Sequence, residues 1–363
     1  MKVYFKRTLL VLLLLFAGIL IICLYYNKIE SNRIPKKIND SVKTEKVNDD
    51  DKQSIEVYAM DTYMTLYAYG SNAKAALMES KKKILQLDSL FNTTNSESEI
   101  YQLNCDKKII ASKDVIEILK EAKKISDLTD GKLDLSVYPI VEEWGFINKK
   151  FCIPTDNRLE ELKKNVSYKK IFINEKTSEV RLDNKSMKID LGAVAKGYTS
   201  KMIMKIFKKH HIKSGLVSLG GNVQIYGKKP DNSLFKIGIA NPEKKATNYL
   251  GVYQGKDKAV ITSGSYERYF EKNNKIYHHI IDPATAKPAE SGIVSMTIIA
   301  DDGTLADGLS TSCFILGKDK TLQLWRNNKE KFDFILQTAD KKIYISKNLE
   351  SHFNSENNYE IIE

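Results

Sequence analysis

Cysteine is scarce in this chain and badly spaced for a metal site or a disulfide framework. There are four cysteines in 363 residues, and Cys23 lies inside an apolar run near the N-terminus. Cys105, Cys152 and Cys313 are odd in number, far apart and without metal-ligand spacing. Cys313 stands in the apolar stretch "CFIL", where a cysteine is typically a small buried side chain. The cysteines therefore favour neither a zinc site nor a disulfide framework.

A long run of basic residues is also missing, although the formal net charge is +11. Lysine and arginine are scattered, and the basic stretch "KIFKKHHIK" at 205–213 lies at a predicted helix end without an interleaved platform of aromatic residues. Stacking aromatics beside a basic groove are typical of proteins that bind single-stranded nucleic acid. The pattern favours a solvated basic surface and predicts no nucleic-acid partner.

The N-terminus carries the longest apolar run, in "MKVYFKRTLLVLLLLFAGILIICLYY" (1–26). Its length is just enough for a membrane span, and the basic residues before it predict that the rest of the chain is extracytoplasmic. No small-residue cleavage site follows, which argues against a cleaved signal peptide. Lipid attachment at Cys23 is a second alternative, but Ile22 stands where a small residue is expected. We expect an uncleaved anchor, followed by a flexible polar tether over 27–54.

The remaining pattern predicts an α+β fold in one intertwined domain over 55–347, with mixed, largely antiparallel sheets, flanking helices and a polar tail at 348–363. Strand patterns outnumber helix patterns and are not in βαβ alternation, which excludes a doubly wound sheet. We predict one strand at 55–70, a strand "MKIDLG" (187–192) leading into a helix, and hairpins at 170–183 and 332–346. Helices are predicted at 72–91, 114–128, 193–210 and 304–317.

The stretch "IDLGAVAKGYT" (189–199) has the glycine spacing of a phosphate loop, but Lys196 precedes Gly197 instead of following it. Asp190 ends the predicted strand, and the free N–H groups of the following helix start attract phosphate. An ordinary strand–helix turn with an exposed lysine explains the stretch equally well on its own. A P-loop kinase is disfavoured because its lysine would be misplaced.

Two further patterns suggest chemistry. In "ADGLST", Asp307 and Thr311 are four residues apart on one helix face. Such hard oxygen ligands suit Mg²⁺, which keeps several bound waters and is also bound by substrate phosphates.

In "YHHIID", His278 and His279 are adjacent on a strand, so at most one of them faces a given site. A neutral histidine could serve as a general base. Each pattern alone is also compatible with a structural role, as are the glycine turn in "SLGGNVQIYG" and the aromatics in "EEWGF".

Taken in order, these motifs resemble those of the ApbE family, the FAD:protein FMN transferases. The resemblance runs from about Val57 to Ser346. It is carried by "MDTYMTLYAYG", "FNTTNSESEIYQLN", "TDGKLDLSVYPIVEEWGF", "DLGAVAKG", "SLGGNVQIYG", "TSGSYERYF", "YHHIIDP" and "ADGLST". It implies FAD as substrate and Mg²⁺ as cofactor.

The resemblance also implies roles for individual residues. Those implied to contact FAD are Met60, Asp134, Asp190 and Lys196. The backbone carbonyl of Ala193 would bind Mg²⁺ together with Asp307 and Thr311, and His279 matches the histidine linked to activity. Thr94 stands where the family often has an aromatic residue that packs on the flavin, which predicts looser FAD binding.

The implied reaction cuts the FAD pyrophosphate, joins the FMN phosphoryl group to a Ser or Thr hydroxyl of an acceptor protein, and releases AMP. His279 is the candidate base for that hydroxyl, with Asp282 or a metal-bound group as alternatives. The acceptor would be an extracytoplasmic protein, such as a redox membrane protein with covalent flavin. Two alternatives stay open: an FAD pyrophosphatase that forms free FMN and AMP, and a surface flavin-binding protein without enzymatic activity.

Overall fold

The computed structural model describes residues 52–243 and 249–363. The predicted anchor (1–26) and nearly all of the predicted tether (27–54) lie outside these residues. Within the two described ranges, no helix is both long and apolar enough to cross a membrane.

The described residues form a mixed α+β fold, as the sequence predicts. The strands are β1 (Lys52–Ala59), β2 (Thr62–Tyr69), β3 (Lys108–Ile110), β4 (Ile171–Asn174), β5 (Glu179–Leu182), β6 (Ser214–Leu219), β7 (Asn222–Gly227), β8 (Phe235–Ile239), β9 (Gly251–Gly255), β10 (Ala259–Gly264), β11 (Tyr269–Lys272), β12 (Lys275–His278), β13 (Ile281–Asp282), β14 (Lys287–Pro288), β15 (Ile293–Ala300), β16 (Phe332–Thr338), β17 (Ile343–Ser346), β18 (Phe353–Asn354) and β19 (Tyr359–Ile362). The helices are α1 (Ala73–Phe91), α2 (Glu99–Asp106), α3 (Lys113–Leu128), α4 (Tyr138–Glu143), α5 (Asp156–Lys163), α6 (Ala195–Lys209), α7 (Gly303–Leu316) and α8 (Lys318–Arg326). Short 3₁₀ turns occupy Leu135–Val137, Tyr168–Lys170 and Lys347–Leu349.

The largest sheet has nine strands in the order β1-β2-β6-β7-β10-β15-β16-β17-β19. Its neighbouring strands are antiparallel except for the parallel pair β17 and β19. Alternate residues of a strand face opposite sides of a sheet, so Ile298 packs with the helices while Ile299 packs with the small sheet β18-β9-β8. The central sheet therefore has helices on one face and a second sheet on the other.

One predicted strand is two strands. The stretch predicted as a single strand at 55–70 folds into the hairpin of β1 and β2, in which Ala59 pairs with Thr62. Met60 and Asp61 form the two-residue turn with φ of 50° and 57°. Residues other than glycine rarely adopt this left-handed conformation. Neither turn residue is a glycine or a proline, so the sequence gives no signal for the turn.

The predicted strand at 187–192 is wrong, because this segment does not pair with any strand and ends in a turn at Gly192. The Asn104 side chain accepts a hydrogen bond from the Ile189 N–H (2.7 Å) and donates one to the Ile189 carbonyl (2.8 Å). The Asp190 N–H donates to the Leu135 carbonyl at 3.0 Å. A side chain and a loop thus satisfy the backbone groups that a neighbouring strand would otherwise bind.

The predicted helices at 72–91, 114–128 and 304–317 and the two predicted hairpins are confirmed to within a few residues. The C-terminal residues 348–363 differ from a simple polar tail. They contain β18 and β19, and Phe353 and Ile362 are buried. Most of their polar residues, at 350–352 and 355–358, lie in the turns around these two short strands.

Candidate active site

Two tight turns lie side by side at one end of the central sheet. The first is Met60–Asp61, and the second is Gly220–Gly221 between β6 and β7, where both glycines have positive φ. The Gly220 N–H donates to the Tyr63 carbonyl at 3.2 Å, and a Cβ at Gly220 would lie 2.3 Å from Thr62 Oγ1. Glycine is therefore required where the second turn packs against the first.

The start of α6 packs against the start of α7 through two glycines. A Cβ at Gly197 would lie 2.1 Å from the Gly303 carbonyl oxygen and 2.6 Å from Asp307 Cβ. Gly197 thus serves helix–helix packing instead of cradling a phosphate, which explains why its spacing only resembles a P-loop. The close approach lets the Gly197 N–H donate to Asp307 Oδ2 at 2.8 Å.

Replacing Gly197 by alanine is expected to destabilise the fold by about 1–3 kcal/mol, because the added methyl group must push α6 away from α7. Chemical unfolding of the variant measures this cost. Gly221→Ala is the control, since a Cβ there meets nothing within 4 Å and only the φ of 96° is unfavourable. A loss below about 0.5 kcal/mol in Gly197→Ala would contradict the packing role of Gly197.

Asp307 is a buried carboxylate at the centre of this contact, with 4% of its surface exposed. Its second oxygen, Oδ1, accepts a hydrogen bond from Asn222 Nδ2 at 2.9 Å. Burial raises the pKa of Asp307, while Lys196 and the two hydrogen bonds oppose that shift. A bound cation would favour the ionised carboxylate further.

The predicted magnesium ligands offer suitable oxygen donors around Asp307. In a regular helix the Gly197 N–H would donate to the Ala193 carbonyl. Here it donates to Asp307 instead, so the Ala193 carbonyl does not receive that helical hydrogen bond. Thr311 lies one helical turn after Asp307, and its Oγ1 is 3.4 Å from Ser263 Oγ. No cluster of three or more His, Cys, Asp or Glu side chains suited to a metal occurs among the described residues. One carboxylate, one carbonyl and one hydroxyl fit Mg²⁺, which completes its shell with water and substrate phosphate oxygens.

The two adjacent histidines face different surroundings. His278 is buried with its Nε2 atom 3.1 Å from the Ala289 carbonyl oxygen, and its ring edge packs on Phe314. His279 follows β12 and places Nδ1 3.1 Å from the Arg268 carbonyl oxygen. A carbonyl can only accept, so Nδ1 carries the proton and the Nε2 lone pair of the neutral ring is available.

Arg268 and His279 are both held by the "EEWGF" segment. Arg268 Nη2 donates to the Phe146 carbonyl at 2.8 Å, and the Phe146 ring meets the His279 ring edge-on at 6.3 Å. Trp144 Nε1 donates to the Ala286 carbonyl at 3.0 Å. Trp144 and Phe146, the aromatic residues of this segment, are therefore buried in the core and orient the loop around His279.

Charged side chains of both signs surround this loop. Lys196 and Arg268 are close enough to perturb the titration of Asp190, Glu267 and His279. Burial is the main cause of the raised pKa of Asp190 and of Glu267, and the two cations oppose it. Asp190 is half-buried and Glu267 is exposed, so solvent reaches this cluster of charged side chains, which we call the recess.

Glu267 was missed by sequence reasoning, and Arg268 was noticed without being assigned a role. The available signal was their position between "TSGSY" and "YF", directly after β10. Their charges meet those of Lys196 only because the chain turns back from β10 toward the start of α6, and local sequence does not reveal this approach.

The pKa of His279 is lowered to about 3, first by burial and then by the charge of Arg268. In the unfolded chain this histidine binds a proton with its ordinary pKa of 6.5, whereas in the folded chain it stays neutral well below that pH. This contribution to stability is therefore present above pH 6.5 and is lost as pH falls. Between pH 7.5 and 5.0 we expect the loss to be about 1 kcal/mol, allowing for solvent at the ring.

Urea unfolding of the wild-type chain and of His279→Gln at both pH values tests this expectation. The variant should lose less stability on acidification, because glutamine does not titrate. His278 also has a pKa lowered by burial, so part of the decline should remain in the variant. Identical declines in both proteins would show that His279 titrates normally.

Three further residues named in the sequence analysis, Met60, Asp134 and Thr94, have partners of their own in the structure. Met60 donates its N–H to Asp88 Oδ1 at 2.8 Å and has its sulfur 3.8 Å from Thr199 Oγ1, on the first turns of α6. Asp134 is turned inward, where its oxygens accept from Ser136 and from the Tyr168 N–H. Thr94 is exposed and bonds the Asn92 side chain. Asp134 thus has its own structural partners, and its backbone neighbour Leu135 supports Asp190.

Comparison with known proteins matches both the sequence and the fold. A model of the ApbE family matches residues 60–336. The FAD:protein FMN transferase of Treponema pallidum is 29% identical over 268 residues, which is 69% of this chain and 74% of that protein. The enzyme of the same name from Escherichia coli K12 is 26% identical over 315 residues, covering 84% and 90%. The crystal structure of the ApbE protein from Thermotoga maritima superimposes with a TM-score of 0.77 at 28% identity, over 83% of this chain and 99% of that one.

Proposed function

Because the chain belongs to the ApbE family, we propose that it is an FAD:protein FMN transferase that moves the FMN phosphoryl group of FAD to a Ser or Thr hydroxyl of an acceptor protein and releases AMP. The observation that carries this proposal is a cluster of charges: Lys196 acts on the buried Asp307 carboxylate, and Lys196 and Arg268 both act on the carboxylate of Glu267. Phosphoryl transfer depends on positioning and on charge neutralisation more than on covalent help from the enzyme.

The two cations suit the pyrophosphate of FAD. Lys196 and Arg268 are the positive groups of the recess, and each lies near the carboxylates of Asp190 and Glu267. The carboxylates offset the positive charge of Lys196 and Arg268, and bound phosphates would compete with them for the two cations. Both cations therefore serve first to bind and orient the pyrophosphate.

Mg²⁺ would be held by the Ala193 carbonyl, Asp307 and Thr311, where it would supply Lewis-acid neutralisation of phosphate oxygens. The Gly197 N–H and Asn222 hold the Asp307 carboxylate in place. The neighbouring Ser263 hydroxyl contacts Ser310 and Thr311. These contacts fix the donor atoms before any ligand arrives.

His279 is the candidate base for the acceptor hydroxyl. Its Nδ1–H is engaged by the Arg268 carbonyl, which orients the ring and leaves Nε2 to accept a proton. The low pKa of free His279 comes from burial and from nearby positive charge. Bound phosphates would offset that positive charge and raise the pKa toward the range of a useful base.

Replacing Lys196 by methionine is expected to raise the Kd for FAD about tenfold, because a cation near two phosphates is lost while the aliphatic stem is kept. Fluorescence titration with FAD measures the change. Lys205→Met is the matched control, since Lys205 lies on the same helix and pairs with Glu117 on the exposed surface. Equal FAD affinity in both variants would remove Lys196 from the pyrophosphate site.

The transferase itself is tested by incubating the full-length chain with FAD, Mg²⁺ and candidate membrane flavoproteins, followed by intact-mass measurement of each candidate. Addition of an FMN phosphoryl group to a Ser or Thr supports the proposal. AMP formed with no acceptor present would favour the FAD pyrophosphatase alternative, for which the exposed Thr94 is the motivating observation. Quenched flavin fluorescence without AMP would indicate a flavin-binding protein without enzymatic activity.

The place of action is part of the same proposal. The apolar run at 1–26 and the polar segment at 27–54 would tether the enzyme to the outer face of the cell membrane. Such tethering would restrict the acceptors to extracytoplasmic proteins close to that membrane. Fractionation of cells that express the full-length chain, before and after protease treatment of the outer face, tests this placement.

A further inference from the structure

The segment 149–153, "KKFCI", follows the "EEWGF" segment and is exposed to solvent. Its aromatic residue, Phe151, has 44% of its surface exposed, although phenylalanine is among the residue types most often buried. FAD, the metal and the proton of the acceptor are served by other residues, so this segment has no role in the reaction as proposed. We call it the Phe151 loop.

We propose that the Phe151 loop binds the acceptor protein, with an apolar or aromatic side chain on Phe151 and acidic side chains on Lys149 and Lys150. This inference rests on the proposed transferase function, and it names the surface and the chemistry that recognise the second substrate of that function. The position of the loop beside His279, its charge and its fixed conformation support it.

Ring contacts connect the loop to the candidate base. The ring centroids of Phe151 and Phe146 are 5.6 Å apart, and those of Phe146 and His279 are 6.3 Å apart. The Phe151 ring therefore lies no more than about 12 Å from the imidazole that must take the acceptor's proton. Each partner of a protein–protein interface typically buries a patch roughly 30 Å across. A protein that brings a Ser or Thr hydroxyl to His279 would therefore also cover the loop.

The loop and His279 lie on the same face of the hairpin of β11 and β12. Phe270 and Tyr277 pair across the hairpin, and Tyr277 and His279 are two residues apart, so the three side chains share one face. The Phe151 ring stacks on the Phe270 ring at 5.1 Å, with an angle of 17° between the ring planes. Phe270 thus covers one face of the Phe151 ring, and the exposed remainder can pack with an apolar side chain of the partner.

The loop carries two positive charges that lack a carboxylate partner. Lys149 and Lys150 are exposed, and neither forms an ion pair with another residue that the structure describes. The two glutamates of the "EEWGF" segment are already paired with Lys188 and Arg158. Complementary charges across an interface increase the association rate and the specificity. The loop therefore favours an acidic segment near the modified hydroxyl.

An anionic lipid surface would offer the same complementary charge. A membrane lying on the Phe151 loop would, however, cover the approach to His279, which the acceptor's hydroxyl must reach. The position of the loop thus favours a protein over a lipid surface.

Contacts within the protein hold the loop in place. A Cβ at Gly145 would lie 2.1 Å from the Lys150 carbonyl oxygen, so the loop packs on a backbone position that requires glycine. The Lys150 N–H donates to Asn148 Oδ1 at 2.8 Å, and the Cys152 thiol donates to the Glu143 carbonyl at 2.9 Å. A surface that is ordered before binding loses less conformational entropy when a partner binds.

The test uses the full-length chain and short, end-capped, fluorescein-labelled peptides with one central Thr. Apolar residues flank the Thr in every peptide, and three sets add acidic, neutral or basic residues. Fluorescence anisotropy without FAD measures binding, and mass spectrometry after addition of FAD and Mg²⁺ measures FMN transfer. We expect the acidic set to bind at least about tenfold more tightly than the basic set, with a difference that shrinks as salt is added.

Two loop variants separate the ring from the charges. Phe151→Ala should weaken binding of the acidic and neutral sets at least about fivefold, because the exposed aromatic anchor is lost. Lys149→Glu combined with Lys150→Glu should reverse the charge preference, so that the basic set binds more tightly than the acidic set.

Each loop variant has a matched control. Phe172→Ala is the control for the ring: Phe172 is 43% exposed on β4, in a separate three-stranded sheet, and the Arg181 guanidinium lies 4.3 Å from its ring. Lys81→Glu combined with Lys82→Glu is the control for the charges, since these adjacent lysines lie on α1. Both controls should bind the peptides like the wild-type chain. The Kd for FAD should change less than about twofold in all four variants.

The lipid alternative is tested with the full-length chain in nanodiscs of phosphatidylcholine, with and without phosphatidylglycerol. Trypsin cleavage after Lys149 and Lys150, followed by mass spectrometry, measures access to the loop. We expect equal cleavage rates in the two kinds of disc. Slower cleavage with phosphatidylglycerol would assign the loop to the lipid surface and overturn the inference.

Three further outcomes overturn the inference. These are no binding of the acidic peptides by the wild-type chain, peptide binding that both loop variants leave unchanged, and weakened FAD binding in the loop variants, which would assign the loop to FAD. Loop-dependent peptide binding without any FMN transfer would support the loop and count against the transferase. FMN transfer that both loop variants leave unchanged would retain the transferase and reject the loop, so the two proposals fail separately.

Discussion

Replacing Asp307 by alanine is expected to lower Mg²⁺-dependent turnover of FAD by on the order of 10³-fold, because Lewis-acid neutralisation by a metal contributes several kcal/mol. Asp307 is the only carboxylate in the proposed donor set. Turnover is measured as AMP release over a range of Mg²⁺ concentrations, and wild-type activity should saturate where the variant shows no response.

Asp307→Ala also removes the acceptor of two hydrogen bonds, from the Gly197 N–H and from Asn222. Leaving these buried donors unpaired costs about 1–3 kcal/mol, so metal loss must be separated from destabilisation. Asp302→Ala is the control: Asp302 caps the same helix through the Leu305 N–H at 3.0 Å, and its loss costs about 1 kcal/mol.

Mg²⁺ should raise the melting temperature of the wild-type chain and of Asp302→Ala, since a ligand stabilises the state that binds it. It should not raise that of Asp307→Ala. A variant lacking Asp307 that keeps turnover within tenfold of wild type, or that is still stabilised by Mg²⁺, would show that the metal site lies elsewhere.

The sequence predicted the helices well because their signals are local. Apolar residues at helical spacing mark 72–91 and 114–128, and Gly317 marks the end of α7. The turn at Met60–Asp61 could not be predicted, since its left-handed residues are held by the hairpin and by the Asp88 side chain. The segment at 187–192 was predicted to be a strand. The Ile189 backbone instead bonds the side chain of Asn104, which is distant in sequence, so no neighbouring strand is needed there.

The candidate site was predictable only as a set of ordered motifs. Neither the Gly197 spacing nor the Asp307–Thr311 pair points to one site without the close packing of α6 on α7. The position of Glu267 depends on the path of the chain after β10, which no periodicity records. Local patterns thus identified residue types suited to phosphate and Mg²⁺, while tertiary packing determined which of them meet.

Replacing His279 by glutamine is expected to slow FMN transfer to an acceptor by about 10²–10⁴-fold, the usual contribution of a general base. The Kd for FAD should change less than about threefold, because glutamine can still donate to the Arg268 carbonyl and Lys196 is untouched. The measurements are the rate of mass gain on a saturating acceptor and fluorescence titration with FAD.

The alternative base, Asp282, provides the discriminating comparison. Both of its carboxylate oxygens accept from Lys132 Nζ, at 2.8 and 3.1 Å, and Oδ1 also accepts from the Ala284 N–H. Because Lys132 and the Ala284 N–H already occupy these oxygens, they are not positioned to take the acceptor's proton, so Asp282→Asn should slow transfer less than about tenfold. Imidazole added to His279→Ala should restore part of the rate, because it supplies the missing base to the space the ring leaves. If Asp282→Asn abolished transfer while His279→Gln kept it, Asp282 would be the base and His279 a positioning residue for Arg268.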